Sequence, residues 1–220
     1  MDKIVEYYNE LASTYDEDRF ENEYGKFIDA QERLLLNKLL TDKNDVVLDL
    51  ACGSGRLLDF ASFGTDASEK MLEIAQKKHK NKKLVLSDAE QLQFETDTFD
   101  KIISFHFFMH LNDEKIEGIL NECHRILKKD GKLIFDIPSL KRRNLFNFKS
   151  NGWHGAHSST IEKLRQHPNF RISNIHGLLF LPIHRFPKFS RRFFIKLDLI
   201  LSNSFLKEYS SYLVVEFVKQ

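Results

Sequence analysis

The chain has few cysteines, no long apolar run and almost no net charge. Cys52 and Cys123 are the only cysteines among 220 residues. One lies in a glycine turn and the other in a predicted helix, so we expect neither a disulfide framework nor a metal site. No apolar run approaches the roughly 18 residues of a transmembrane helix. The first residues lack the apolar core of a signal peptide, which favours a cytoplasmic protein.

A formal net charge of +1 creates no global field that would attract nucleic acid, and we expect no DNA partner. The charge is nevertheless unevenly distributed. Residues 1–32 contain ten acids and three bases, whereas residues 180–207 contain six bases and one acid. Internal repeats, low-complexity segments and linkers are also missing, so residues 1–220 are predicted to form one domain. No pattern in the sequence specifies an oligomeric state.

Apolar strands alternate with amphipathic helices along most of the chain, which predicts right-handed βαβ units and a parallel sheet. Strands are predicted at 45–50, before Asp66, at 84–86, 99–105 and 133–137, and again at 170–181 and 209–219. Helices are predicted at 3–17, 26–40, 57–61, after Ser68, from Asn112 or Asp113 to a stop at Gly131, and near 190–203.

The predicted fold class is therefore α/β. We expect a Rossmann-like, mostly parallel sheet of seven strands with an antiparallel C-terminal edge strand and helices on both faces. Residues 1–40 would form a helical cap and residues 45–137 a cofactor-binding core. Residues 138–220 would form a lid and the C-terminal sheet edge.

The segment from Val46 to Arg56 indicates a buried strand, a tight turn with two glycines and the start of a helix. Glycine lets a backbone approach a ligand closely, and open helix N–H groups can bind an anion. Asp49, Asp66 and Asp88 follow the ends of three neighbouring predicted strands. Ligands of open α/β sheets bind outside these carboxyl ends. The pattern predicts a nucleotide-like cofactor.

The spacing argues against two common nucleotide sites. A dinucleotide fingerprint needs a third glycine, where this chain has Leu58, and a ribose acid about 20 residues on. Asp66 lies only thirteen residues after Gly53. The Gly-Lys-Ser/Thr of a phosphate-binding P-loop is also missing. The remaining ligand with a ribose and a base but no phosphate is S-adenosylmethionine.

The motifs together resemble the class I S-adenosylmethionine-dependent methyltransferases, in particular the small-molecule, type 11-like family. The matching segments are Asp49–Arg56, Gly64–Leu72, Ser87–Glu90, Phe99–Ser104 and Arg125–Leu133. The resemblance is close over residues 45–137 and looser elsewhere. Two features depart from the family pattern. Ala51 stands where many members have glycine, and the stretch between Gly55 and Asp66 is short.

The resemblance implies a role for each matching position. The first loop would lie along the methionine part and the ribose, through Asp49, Ala51, Cys52, Gly53 and Gly55. Asp66 would bind the ribose hydroxyls, Ala67 and Met71 would pack near the adenine, Asp88 and Ala89 would contact its amino edge, and Ser104 would back the methionyl side. Tyr15 and Arg19 resemble a pattern that closes over the cofactor, and Arg19 would pair with its carboxylate.

Methyl transfer needs alignment and, for a hydroxyl acceptor, a base. His106 and His110 follow the fourth strand and are the candidate bases, although either could instead be a packing histidine. Trp153, His154 and His157 lie in a long loop at the same sheet edge and are candidate residues for binding a small-molecule acceptor, or else simply a surface loop. No Asn/Asp-Pro-Pro-Tyr motif follows the fourth strand, which argues against the amino-methylating enzymes that use it.

Basic and aromatic residues alternate through residues 184–207. This segment is interpreted as a helix packed on the sheet, a surface for membrane or lipid contact, or an RNA contact. Two further functions also compete with a small-molecule methyltransferase. One is a non-enzymatic S-adenosylmethionine-binding protein. The other is a methyltransferase acting on RNA or protein. An enzyme would release S-adenosylhomocysteine.

Overall fold

A computed structural model describes residues 3–148 and 152–220 of the chain. Seven strands form one sheet: β1 (Val47–Leu50), β2 (Phe63–Asp66), β3 (Lys83–Leu86), β4 (Phe99–Ser104), β5 (Leu127–Pro138), β6 (Phe170–Leu178) and β7 (Tyr212–Lys219). Their order is β3-β2-β1-β4-β5-β7-β6. The first five strands pair in parallel, and β7 is antiparallel to both β5 and β6. The predicted fold class is confirmed, with β7 lying one place inside the edge strand β6.

Helices of the described residues are α1 (Lys3–Leu11), α2 (Tyr15–Phe20), α3 (Glu23–Leu39), α4 (Glu69–Lys78), α5 (Asp113–Ile126), α6 (Leu140–Leu145), α7 (Ile161–Leu164) and α8 (Lys188–Ser202). None of these helices is long and apolar enough to cross a membrane. The helix starts predicted after Ser68 and at Asn112 are confirmed, because the Ser68 hydroxyl accepts the amide of Met71 and the Asn112 side chain accepts that of Lys115.

Three predicted elements differ from the structure. The helix expected over 3–17 is two helices, since Ser13 and Thr14 favour turns over helix interiors. Residues 57–61 form only a 3-10 turn, at Leu58–Phe60. Gly131 does not stop α5, which ends at Ile126. It lies inside β5 beside Asp130, whose φ of 60° belongs to an irregularity in the pairing with β4.

Successive residues of the strands face opposite sides of the sheet, and each side carries its own apolar cluster. Leu48, Ile102 and Leu133 belong to the cluster that includes α5 residues. Val47, Ile103 and Ile134 belong to the one that includes Ile28 and Leu36 of α3. The α3 side is also where the inward positions carry acids, Asp49 and Asp136. Helix α3 therefore covers a sheet face that is partly polar.

Candidate functional site

A cavity of about 130 Å³ lies along the carboxyl ends of the parallel strands. Its walls come from the segments that follow β1 to β4 and from α1. Among the residues predicted to bind the cofactor, Tyr15, Ala51, Gly53, Asp66, Ala67, Met71, Asp88 and Ala89 line it, together with the candidate bases His106 and His110. The fold therefore brings most of the predicted site to one place, as the strand-end rule requires.

Asp66 ties the first two loops together. Its two carboxylate oxygens accept the amides of Gly53 and Ser68, each at 2.8 Å. Ala51 and Gly53 have φ values of 57° and 53°, in the left-handed region that glycine adopts most easily. Ala51 thus adopts a backbone conformation typical of glycine, and the tight turn predicted from the sequence forms.

Asp49 and Cys52 line a smaller adjoining cavity of about 50 Å³. Asp49 is buried, and burial raises the pKa of its carboxyl to about 8 although Arg56 opposes the shift. Its Oδ2 has no hydrogen-bond partner among the described residues. A buried carboxylate oxygen without a donor is costly, and a cationic ligand group in this cavity would satisfy it. Burial also raises the pKa of the Cys52 thiol, which makes it a poor nucleophile.

Gly55 and Ser104 lie behind the cavities that the structure describes. A Cβ on Gly55 would come within 3.1 Å of side-chain atoms of Leu58, Ala75 and His79. The Ser104 hydroxyl is buried and donates to the carbonyl oxygen of Leu50 at 2.9 Å. The geometry of both residues is that of packing around the first loop.

A third cavity, of about 290 Å³, opens on the N-terminal helices. Its lining residues are Tyr7, Tyr8, Leu11, Tyr15, Asp18, Arg19, His106, His110 and His154. Arg19 is half-buried there and has no carboxylate partner among residues 3–148 and 152–220. Helix α2 can carry Arg19 so close to α3 because residue 25 is glycine, where a Cβ would meet the carbonyl oxygen of Arg19.

Of the three candidate residues in the loop after β5, His154 lines the third cavity and Trp153 packs beside it. The Trp153 ring packs edge-on against Tyr7 and His110, with centroids 5.4 and 5.6 Å apart. The His154 ring lies 4.5 Å from that of His110. His157 instead points towards Asp113 of α5, with its Nδ1 3.7 Å from the carboxylate, and lines none of the cavities described.

Both ring nitrogens of His110 are engaged. Nδ1 accepts the backbone amide of Gly155 at 3.0 Å, so the ring proton is on Nε2, which donates to the hydroxyl of Tyr8 at 3.0 Å. Burial lowers the pKa of His110 to about 3, with His154 and His106 adding to the shift. His110 therefore has no lone pair available for an acceptor's proton in this arrangement.

We expect the His110 ring to remain neutral from about pH 5 to pH 8 and to keep its proton on Nε2. Nitrogen-15 spectra of the imidazole across that range would show one constant tautomer. A His110 midpoint near the usual value would contradict the assignment.

A second polar cluster, not foreseen from the sequence, surrounds His106. Its Nε2 lies 2.8 Å from Glu32 of α3, its Nδ1 lies 3.4 Å from Asp136 of β5, and its amide donates to Asp136 at 2.6 Å. Arg56 contacts the other oxygen of Glu32 at 2.7 Å and also Asp29 at 2.7 Å. In the sequence, this cluster is indicated only by Asp136, an acid at an inward position of an apolar strand, and by Glu32, an acid on the apolar side of α3.

The pKa values of the two carboxyl groups in this cluster, Glu32 and Asp136, are shifted in opposite directions. Burial raises the pKa of Glu32, but Arg56 and His106 outweigh that effect and bring it down to about 2. Burial raises the pKa of Asp136. Glu32, His106 and Asp136 also lie close enough together to ligate a cation. Arg56 already supplies a positive charge to Glu32, so the geometry is explained as an ion-pair network without a metal.

Comparison with known proteins agrees with this geometry. The pattern of the Methyltransferase domain family matches residues 48–135. An uncharacterized protein of Methanocaldococcus jannaschii is 39% identical over 139 residues, covering 62% of this chain and 52% of that protein. The demethylmenaquinone methyltransferase of Thermotoga maritima is 34% identical over 140 residues, covering 57% of this chain and 60% of that enzyme.

The fold has solved counterparts. An S-adenosylmethionine-dependent methyltransferase from Thermotoga maritima superposes with a TM-score of 0.74 at 21% identity, covering 99% of this chain and 100% of that one. The chain spans about half to three-fifths of the length of the two relatives named above. Residues 48–135 thus resemble the Methyltransferase domain family, and the chain shares the fold of that solved structure.

Proposed function

We propose that this protein transfers the methyl group of S-adenosylmethionine to an oxygen, nitrogen or carbon atom of a small molecule. The observation that carries this proposal is the position of Asp49, Asp66 and Asp88 around adjoining cavities at the carboxyl ends of β1, β2 and β3. The family match over the same segment supports it.

The described residues fit the cofactor at both of its ends. Asp66 would bind the ribose hydroxyls, and Asp88 and Ala89 would lie at the adenine, beside Ala67 and Met71. The unpaired Oδ2 of Asp49 suits the ammonium group, and Arg19, which has no carboxylate partner in the described residues, suits the carboxylate. When bound, S-adenosylmethionine supplies the activated methyl group, and the protein supplies alignment and exclusion of water.

The acceptor site is proposed to be the third cavity, which begins where the cofactor cavity ends, at Tyr8, Tyr15 and His106. Aromatic rings form most of its wall, with Trp153 packed behind Tyr7. Such a wall suits a flat aromatic acceptor, because aromatic rings pack edge-on or offset against one another. The relative named demethylmenaquinone methyltransferase supports an acceptor of this class.

A base is needed only for a hydroxyl acceptor. Neither candidate histidine has a free ring nitrogen, since Gly155 and Tyr8 hold those of His110 and Glu32 and Asp136 contact those of His106. We propose His106 for this role, with its Nε2 giving up the Glu32 contact at 2.8 Å to the acceptor. His106 also lines all three cavities.

Calorimetry and a transfer assay test the proposal in sequence. Titration with S-adenosylmethionine and with S-adenosylhomocysteine should show binding of both. Incubation of the labelled cofactor with a fractionated metabolite extract should then label a small aromatic compound. Absence of binding would refute the function entirely. Binding without a labelled product in metabolite, RNA and protein fractions would support a non-enzymatic S-adenosylmethionine-binding protein. A labelled RNA or protein would support a methyltransferase that acts on that macromolecule.

We also propose that the protein works in the reducing cytoplasm. Both cysteines are free and buried, at positions on separate elements. Such thiols persist where disulfides do not form. Cell fractionation with an antibody to the protein would test this location.

A further inference from the structure

Helix α8 presents its aromatic residues to solvent. Phe189 in the helix and Phe205 just after its end each expose 90% of their surface. Phe193 and Ile200 of the helix expose about two thirds. Along an α-helix, positions 189, 193 and 200 fall on one stripe. On the opposite side, Asp198 and Ser202 are buried. The Asp198 carboxylate there accepts the amide of Leu181 at 2.7 Å. Asp198 and Ser202 thus face the protein, whereas the apolar stripe of α8 faces solvent.

Basic residues border this stripe. Lys188, Arg192 and Lys196 are exposed on the same side of α8. Glu23 of α3 pairs with Arg191 and, at 3.9 Å, with Lys188. Arg192 and Lys196 have no carboxylate partner within residues 3–148 and 152–220. Since Asp198 is the one acid of α8 and is buried, the exposed face of the helix is purely basic and apolar.

A second exposed apolar group lies next to α8. Leu145, Phe146 and Phe148 at the end of α6 are exposed, and α6 and α8 both contact the 3-10 turn Lys207–Tyr209. Arg142 and Arg143 stack over Phe146 and Phe148, 5.1 and 5.0 Å from the ring centroids. Arginines and exposed phenylalanines therefore recur together in both segments.

We propose that the exposed face of α8, formed by Phe189, Phe193, Ile200, Arg192 and Lys196, binds the surface of an anionic lipid bilayer. Basic amphipathic helices with aromatic apolar faces lie in the membrane interface, with rings at the acyl boundary and cations at the headgroups. The centre of a protein interface is, by contrast, depleted of lysine. The charge of the face therefore favours anionic lipid over a protein partner.

Helix α6, which lies next to α8, also contacts the loop after β5 that carries Trp153 and His154. Arg143 of α6 donates to the carbonyl oxygens of Gly155, Ala156 and His157 at 2.7 to 3.1 Å. The same loop carries Trp153 and His154 against His110. Helix α6 thus contacts both this loop and the 3-10 turn beside α8. The binding itself does not depend on the proposed methyl transfer.

Vesicle flotation tests the proposal. The protein should float with phosphatidylglycerol–phosphatidylcholine vesicles at low salt, less so at high salt, and not with phosphatidylcholine alone. Phe189→Ser should weaken binding by about tenfold or more, since one buried phenylalanine is worth that much. Arg192→Gln combined with Lys196→Gln should weaken it by roughly tenfold as well.

Matched controls come from the same chain. Leu34→Ser removes an exposed apolar residue of α3, and Lys77→Gln with Lys80→Gln removes two exposed lysines near the end of α4. Both controls should float like the wild type, and all variants should keep its melting temperature. The proposal would be overturned if Phe189→Ser floated as well as the wild type. It would also be overturned if the wild type bound neutral and anionic vesicles equally well. A dimer in gel filtration that Phe189→Ser dissociates would overturn it as well.

Discussion

Asp66→Ala is expected to weaken S-adenosylmethionine binding by at least about 100-fold. The ribose hydroxyls would lose two charge-assisted hydrogen bonds to the Asp66 carboxylate, each worth roughly 1.5–3 kcal/mol. The substitution would also release the amides of Gly53 and Ser68, which the carboxylate now fixes at 2.8 Å. Isothermal titration calorimetry of the purified variant measures the change directly.

Two further variants make the Asp66 experiment decisive. Asp66→Asn keeps the shape and one acceptor oxygen, so it should retain the fold and show an intermediate affinity. Glu69→Ala removes the next acid along the chain, which is exposed at the start of α4, and should bind like the wild type. Unchanged affinity of Asp66→Ala would show that the ribose lies elsewhere.

Glu32→Ala is expected to destabilise the protein by about 3–5 kcal/mol, because it leaves buried charges unpaired. Glu32 is fully buried between Arg56 and His106, at 2.7 and 2.8 Å. Urea denaturation followed by circular dichroism gives the free energy of unfolding. Asp29→Ala is the matched control. It removes the half-exposed partner of Arg56 but leaves Glu32 in place, so its cost should be much smaller.

The contribution of Glu32 should depend on pH with a definite sign. Its pKa in the folded protein is lowered to about 2, against roughly 4.3 in an unfolded chain. The stability that it adds is therefore fully present above about pH 4.3 and is lost as pH falls towards 2. The raised pKa of Asp136 acts in the opposite sense.

Comparing wild type with Glu32→Gln separates these two carboxyl groups, since both proteins keep Asp136. The difference between their free energies of unfolding should shrink as pH is lowered from about 6 to about 3. A difference that stays constant over this range would mean that Glu32 is not held as a carboxylate by Arg56 and His106.

The parallel core and much of the cofactor cavity could be predicted because their signals are local. Strand periodicity, the caps at Ser68 and Asn112 and the acids at strand ends all lie within a few residues of the features they specify. The glycine turn adds its own backbone signal, with Gly53 at positive φ. Such patterns need no knowledge of which segments meet in space.

The polar clusters could not be predicted because their members meet only through the tertiary fold. Glu32 and Asp136 are far apart in the chain, yet α3 covers the strand that carries Asp136. The state of His110 likewise depends on an amide 45 residues away. Gly131 shows a different difficulty, since a glycine after a helix suits a helix stop as well as an irregular strand.

The position of β7 has a consequence for how the chain folds. β7 follows β6 in sequence but lies between β6 and β5. During synthesis β6 therefore leaves the ribosome before the strand that joins it to the sheet exists. One hydrogen-bonding edge of β5 and one of β6 stay unpaired until residues 212–219 arrive. Completion of the sheet depends on contacts between distant segments, which form slowly. We expect β6 to be the strand most in need of a chaperone.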